Sequence, residues 1–165
     1  MARFALRSKL LLLLAGTALP LAGAHAQSFT PEQLQAATAL QERLPNLDNH
    51  LDIPFDFGTG EHDPGKDGPD QFDFVKAKRG RLKGVVLAIF VPQNARTPAG
   101  YAEAAAKGQQ KLSAIQGVVA RYPEQAAIAH SPEALRAIEG SGRVAIILSI
   151  LNGNLIGKDL RQLDA

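Results

Sequence analysis

Cysteine is absent from the 165 residues. That excludes a disulfide framework, a thiolate metal site and a lipoprotein anchor attached through cysteine. Aromatic side chains are scarce, at 5%, and nowhere do they interleave with a cluster of Lys and Arg. The chain therefore lacks the basic, stacking surface on which nucleic acid is bound. It has no internal repeat, no long low-complexity tract and no phosphate-loop pattern. Its one long apolar run, Leu10 to Ala22, is interrupted by Thr17 and Pro20 and falls short of the about 20 residues that span a bilayer.

That run reads as a secretory signal. Arg3, Arg7 and Lys9 form the positive leading region, and Ala24-His25-Ala26 is a small-x-small cleavage site, with cutting expected after Ala26. An exported location follows, periplasmic or extracellular, with no stable membrane anchor once the signal is removed. The signal carries three of the 18 basic residues and none of the 16 acidic ones, so the remainder holds 15 against 16. The basic character of the whole chain is mostly an export feature. Taking 26 from 165 leaves 139 residues, Gln27 to Ala165, enough for one compact domain.

Helices and strands alternate along this remainder. Thr30-Pro31-Glu32-Gln33 predicts a capped helix start, with Gln33 closing a capping box. The helix runs to about Leu44, with Leu34, Ala37, Leu40 and Leu44 as its apolar stripe. Leu47 to Ile53 is a short strand stopped by Pro54, and the Gly/Pro/Asp-rich stretch 58–70 is a loop. Gln71 to Lys78 allows one or two helical turns. Lys83 to Val91 and Arg143 to Leu151 are near-continuous apolar runs, as expected of strands buried on both faces. Between them, Thr97-Pro98 opens an alanine-rich helix to about Arg121, Ala126 to Ala129 is a candidate small extended piece, and Ser131-Pro132 opens a helix ending at Gly140. Lys158 onward reads as helical again. The alternation predicts a parallel sheet with right-handed crossovers; periodicity does not distinguish a doubly wound layer from part of a barrel. The chain stops inside a helical pattern, which is unusual for a finished domain.

The sharpest chemical feature is His50-Leu51-Asp52 at the end of the first strand. Residues two apart on a strand project to one face, so an imidazole and a carboxylate can bind one cation together, and barrel active sites lie at the carboxyl ends of strands. Alone the motif is weak, because four histidines in a chain of this size produce it readily by chance.

Its context is more specific. Leu47-Asp48-Asn49-His50-Leu51-Asp52-Ile53-Pro54 resembles the first-strand signature of the membrane (renal) dipeptidase family of zinc peptidases. Gln71 to Lys76, Arg79-Gly80 and the run to Pro92 resemble the family's second-strand region, and Val144 to Leu160 its third-strand region and the turn after it. The resemblance implies the first three or so βα units of a (β/α)8 TIM-type barrel, two zinc ions, and hydrolysis of dipeptides or other small amides by a metal-activated water. His50 and Asp52 would be ligands of one metal.

The chain also departs from the family pattern. The third-strand signature ends in a glutamate whose carboxylate bridges the two metals. Here that position falls on Leu151, followed by Asn152-Gly153, and no Glu or Asp lies between Arg143 and Gly157. The remaining ligands come from strands later than Ala165. At most a weak partial metal site is expected, and no residue of this chain is assigned as catalytic.

Other groups read as structural. Glu61-His62-Asp63 reads as a solvated loop, His130 as a strand-end residue, and Lys158, Asp159 and Arg161 as a solvated helix face. Gly80, Arg81 and Gly84 lack the spacing of a phosphate loop. Three readings stand at this point: the N-terminal part of an exported metallodipeptidase, a non-catalytic truncated relative, or a small exported ligand-binding α/β domain. Oligomeric state is not legible from sequence.

Overall fold

The computed structural model describes residues 28–163; the expected signal, residues 1–26, lies outside them. Four helices are capped by side chains that the local sequence supplies. Thr30, Thr97 and Ser131 accept hydrogen bonds from the backbone N–H of Gln33, Gly100 and Ala134, each ahead of a proline at the first helical position. These open α1 (Pro31–Arg43), α3 (Pro98–Arg121) and α4 (Pro132–Gly140). The predicted capping box at Thr30 and Gln33 is present in both directions. The short α2 (Phe74–Arg79) starts on Asp73, a cap the sequence reading did not single out. Beyond Lys158 the expected helix is only a 3-10 turn, Leu160–Leu163.

The strands are β1 (Leu47–Asp52), β2 (Gly84–Phe90), β3 (Ala126–Ile128) and β4 (Val144–Leu151). All are parallel, in the order β1-β2-β4-β3. Three strands read clearly from sequence. The fourth is the small extended piece at 126–128, which pairs only with Val144 to Ile146 of β4. It was hard to read because three residues carry no periodicity.

This order has a steric consequence. α3 carries the chain from β2 outward to β3, and α4 brings it back inward to β4. Right-handed crossovers in opposite directions place their helices on opposite faces. One face carries Val85, Leu87, Ile89 and Ile146, packed on Ile115 and Val118 of α3, on Phe57 and Phe72 from the segment before α2, and on Phe74 at the start of α2. On the other face, Ala145 and Ile147 meet Leu135 and Ile138 of α4. α4 thus covers only the amino-terminal half of that face, and Leu151, at the far end of β4, is 37% exposed.

The 53–73 segment is more than a solvated loop. Ile53, Phe57 and Phe72 are core residues, and the next helix begins on buried Phe74, edge-on to Tyr122 with ring centroids 6.0 Å apart. The Tyr122 ring lies so close to Gly65 that a Cβ there would meet it at 2.0 Å. Conversely, the apolar stripe of α1 is uncovered: no α1 residue is buried. That helix is tethered by polar links, Gln41 Nε2 donating to the Gly80 carbonyl (3.1 Å) and Lys83 Nζ to that of Leu44 (3.0 Å).

Candidate metal centre

β1 and β2 do not pair evenly. Asp48 stands opposite Val85 and Leu51 opposite Leu87, so Asn49 and His50 together face the single residue Val86. This is a β-bulge, an extra residue that shifts the alternation of everything after it. Asp48 braces it, its Oδ1 accepting from the His50 N–H at 3.0 Å. Because of the shift, Leu51 joins the α3-side core and Asp52 projects from the other face, level with Ala88 and Ser149 on the neighbouring strands. His50 Nε2 lies 3.7 Å from Asp52 Oδ2, and both side chains are open to solvent (45% and 60%).

A tetrahedral zinc with bonds of about 2.1 Å holds adjacent nitrogen and oxygen donors about 3.4 Å apart. The pair therefore fits one edge of a coordination shell. A third donor is needed, and among the described residues no group of three or more His, Cys, Asp or Glu could hold a metal ion. Leu151 pairs with Phe90, two residues beyond the Asp52–Ala88–Ser149 level. By alternation it lies on the same face as Asp52, toward the same end. The position where the resemblance expects a carboxylate is thus brought to the right side of the sheet, carrying hydrocarbon.

Beneath the pair lies a residue that the sequence reading passed over. Lys111 of α3 is only 3% exposed, donates from Nζ to the Ile53 carbonyl at 2.5 Å, and sits 4.7 Å from the centre of the Phe55 ring. Burial pushes its pKa down, and the charge of Asp52 opposes that shift. The signal was available: Ala104, Gly108, Lys111, Ile115 and Val118 form the buried stripe of α3, and a lysine at that spacing is out of place among apolar residues. Its bond to Ile53 fixes the chain immediately after Asp52. Leu51 to Pro54, with Asp70 and Phe72, also line a cavity of about 320 Å³ beside the pair.

The other sequence candidates separate. Glu61-His62-Asp63 is no joint cation site. His62 Nδ1 contacts the Asp70 carboxylate at 2.9 Å, and that hydrogen bond raises the imidazole pKa. Asp63 turns inward and is 7% exposed, which corrects its reading as a solvated residue. Burial works against its charge, but the Gly65 N–H, the Tyr122 hydroxyl (2.9 Å), Lys66 and Arg121 outweigh it and hold the pKa below the usual carboxylate range. His130 is exposed beyond the end of β3. Asp159 and Arg161 pair locally at 2.7 Å. Gly80 caps α2, and a Cβ on Gly84 would lie 2.6 Å from Leu47.

A parallel sheet joined by helices, with its polar pair at the carboxyl end of the first strand, has the layout of a partial TIM-type barrel. The family is equally well defined. Residues 34–165 match the family model described as Membrane dipeptidase (Peptidase family M19), and the chain belongs to that family. The fold is similar to that of the probable dipeptidase PvdM from Pseudomonas aeruginosa, at 40% identity and a TM-score of 0.74 over 82% of this chain and 35% of that one. It is also similar to the dipeptidase AC, a metallo peptidase, at 18% identity and 0.59 over 73% of this chain and 39% of that one. A third similar structure is a metallo peptidase from Rhodobacter sphaeroides liganded with a phosphinate mimic of the dipeptide L-Ala-D-Ala. There the values are 17% and 0.57, over 73% of this chain and 42% of that one. No curated protein matches the chain. The chain spans about a third of the length of PvdM. The family is metal-dependent, and no described helix is long and apolar enough to cross a membrane.

Proposed function

We propose that this chain is the N-terminal part of an exported, zinc-dependent dipeptidase, with His50 and Asp52 contributing two ligands to one ion. The observation that carries this reading is their 3.7 Å approach on one face of the sheet, at the carboxyl end of β1. Bound zinc would supply the Lewis acidity that activates water at neutral pH and polarises a scissile carbonyl. The chain's own residues do the holding. His50 donates an imidazole nitrogen, Asp52 a carboxylate oxygen, the bulge aims both, and Lys111 anchors the segment that follows. The substrate would be a dipeptide or similar small amide. Residues 1–26 would act as a signal leading to the periplasm or cell exterior, and residues 27–165 form the barrel portion.

Residues 1–165 alone form a non-catalytic unit in this reading, because Leu151 offers no donor and two ligands do not retain a metal pair. Purified chain should contain little zinc by elemental analysis and should not hydrolyse dipeptides. Chelator-sensitive turnover by this chain would refute the second statement. Failure of zinc to perturb the His50 ring resonances, at concentrations that leave His130 unmoved, would refute the ligand assignment itself.

A further inference from the structure

The loops leaving β2 and β4 enclose another cavity, of about 240 Å³, lined by Gln93, Arg96, Tyr101, Gly153, Asn154 and Gly157. Two of its groups are not used by the fold. Arg96 makes no ion pair among the described residues. Asn154 is only 6% exposed, and its amide Nδ2 has no hydrogen-bond partner among them. Buried amide hydrogens almost always find an acceptor, so one left over at a cavity points to an acceptor supplied from outside.

The loops around the cavity are tied together and present donors to it. Asn152 donates from Nδ2 to the Val91 carbonyl at 3.2 Å, tying the two loops together, and its Oδ1 accepts from the Asn154 N–H at 2.9 Å. It does so from the left-handed region, at φ +66°. Gly157, at φ +62°, packs against the Tyr101 ring, where a Cβ would stand 3.4 Å away. Arg96 and Tyr101 flank the first turn of the 24-residue α3, whose amino end carries partial positive charge. The lining contains a guanidinium, two carboxamides and a phenol, and no Asp or Glu.

We propose that this cavity binds a small oxyanion, a carboxylate or a phosphate, between the Arg96 guanidinium and the buried Asn154 amide. A planar guanidinium fork matches the oxygen pair of either group. The site stands at the carboxyl end of the sheet but does not depend on His50, Asp52 or the peptidase reading.

The test is titration of the purified chain with sodium acetate and, separately, with inorganic phosphate, at constant ionic strength, followed by calorimetry and amide chemical shifts. Saturable binding of at least one anion is expected, with shifts centred on 153–157 and the start of α3. Binding of acetate alone would identify a carboxylate site, of phosphate alone a phosphate site, and of both a general oxyanion site. Arg96→Met, at an exposed position, should weaken binding about tenfold or more through loss of a charged hydrogen bond. Arg136→Met on α4 should leave it unchanged. Asn154→Ser should also weaken it, with the fold checked by circular dichroism. The proposal is overturned by absence of saturable binding with both anions. It is equally overturned if Arg96→Met is no weaker than Arg136→Met.

Discussion

Under the proposed ligand assignment, Leu151 stands where a further donor to the His50–Asp52 pair is expected. The residue is 37% exposed and lies on the Asp52 face of the sheet, so a carboxylate there would not be buried without partners. In a full-length version that carries the later strands, Leu151→Glu is expected to raise zinc content, measured by elemental analysis after dialysis; an unchanged zinc-to-protein ratio would show that the position is misplaced. Asp63 is a residue of the opposite kind, inward-facing and structural. Its folded pKa is lowered. Its contribution to stability is therefore complete above the unfolded value of about 3.9 and is lost as pH falls through the lower folded value. Asp63→Asn should cost about 1–3 kcal/mol near neutral pH, because the amide keeps one acceptor oxygen where the Gly65 N–H and the Tyr122 hydroxyl use two, and should flatten the acid limb of the denaturation profile. A parallel acid limb in both proteins would remove the charge from the account. The setting of Asp63 was not legible locally: it sits in a Gly/Pro/Asp-rich stretch that reads as solvated, and its partner Tyr122 is 59 residues away.

Among the elements, the helix starts were the most legible feature, because an N-cap, a proline and a capping-box residue act within four positions. Three of the four starts were marked by an N-cap and a proline, the first also by a capping-box residue, and each is realised by a side-chain-to-backbone bond. Thr97→Ala, which removes the bond to the Gly100 N–H of the longest helix, should cost about 1 kcal/mol. A thermal or urea midpoint unchanged from the parent would show that tertiary packing alone holds α3. Strand runs were legible for β2 and β4, which are nearly continuous apolar runs, whereas β3 was visible only as a fragment. The β1 bulge was invisible, since an extra residue is defined by the partner strand and not by the strand that carries it. That bulge decides the face on which Asp52 emerges.

Across the whole molecule, the family match and the parallel sheet agree with the fold class expected from sequence, a partial TIM-type barrel. The stripe of α1 does not bury as its periodicity suggested. Leu34, Leu40 and Leu44 are each at least half exposed, a patch of the kind that drives association. Replacing Leu34 and Leu40 by Gln should reduce concentration-dependent light scattering while leaving the thermal midpoint unchanged. A lowered midpoint would mean that the stripe packs within the chain. Sequence by itself determined the helix caps, the two apolar strands and the His-x-Asp motif, because each is written within a few neighbouring residues. Only tertiary structure decided the strand order, the opposite placement of α3 and α4, the re-aiming of Asp52, the burial of Lys111 and Asp63, and the donor-lined cavity at Arg96 and Asn154. Each of those depends on contacts between residues far apart in the chain, whose pairing no local pattern encodes.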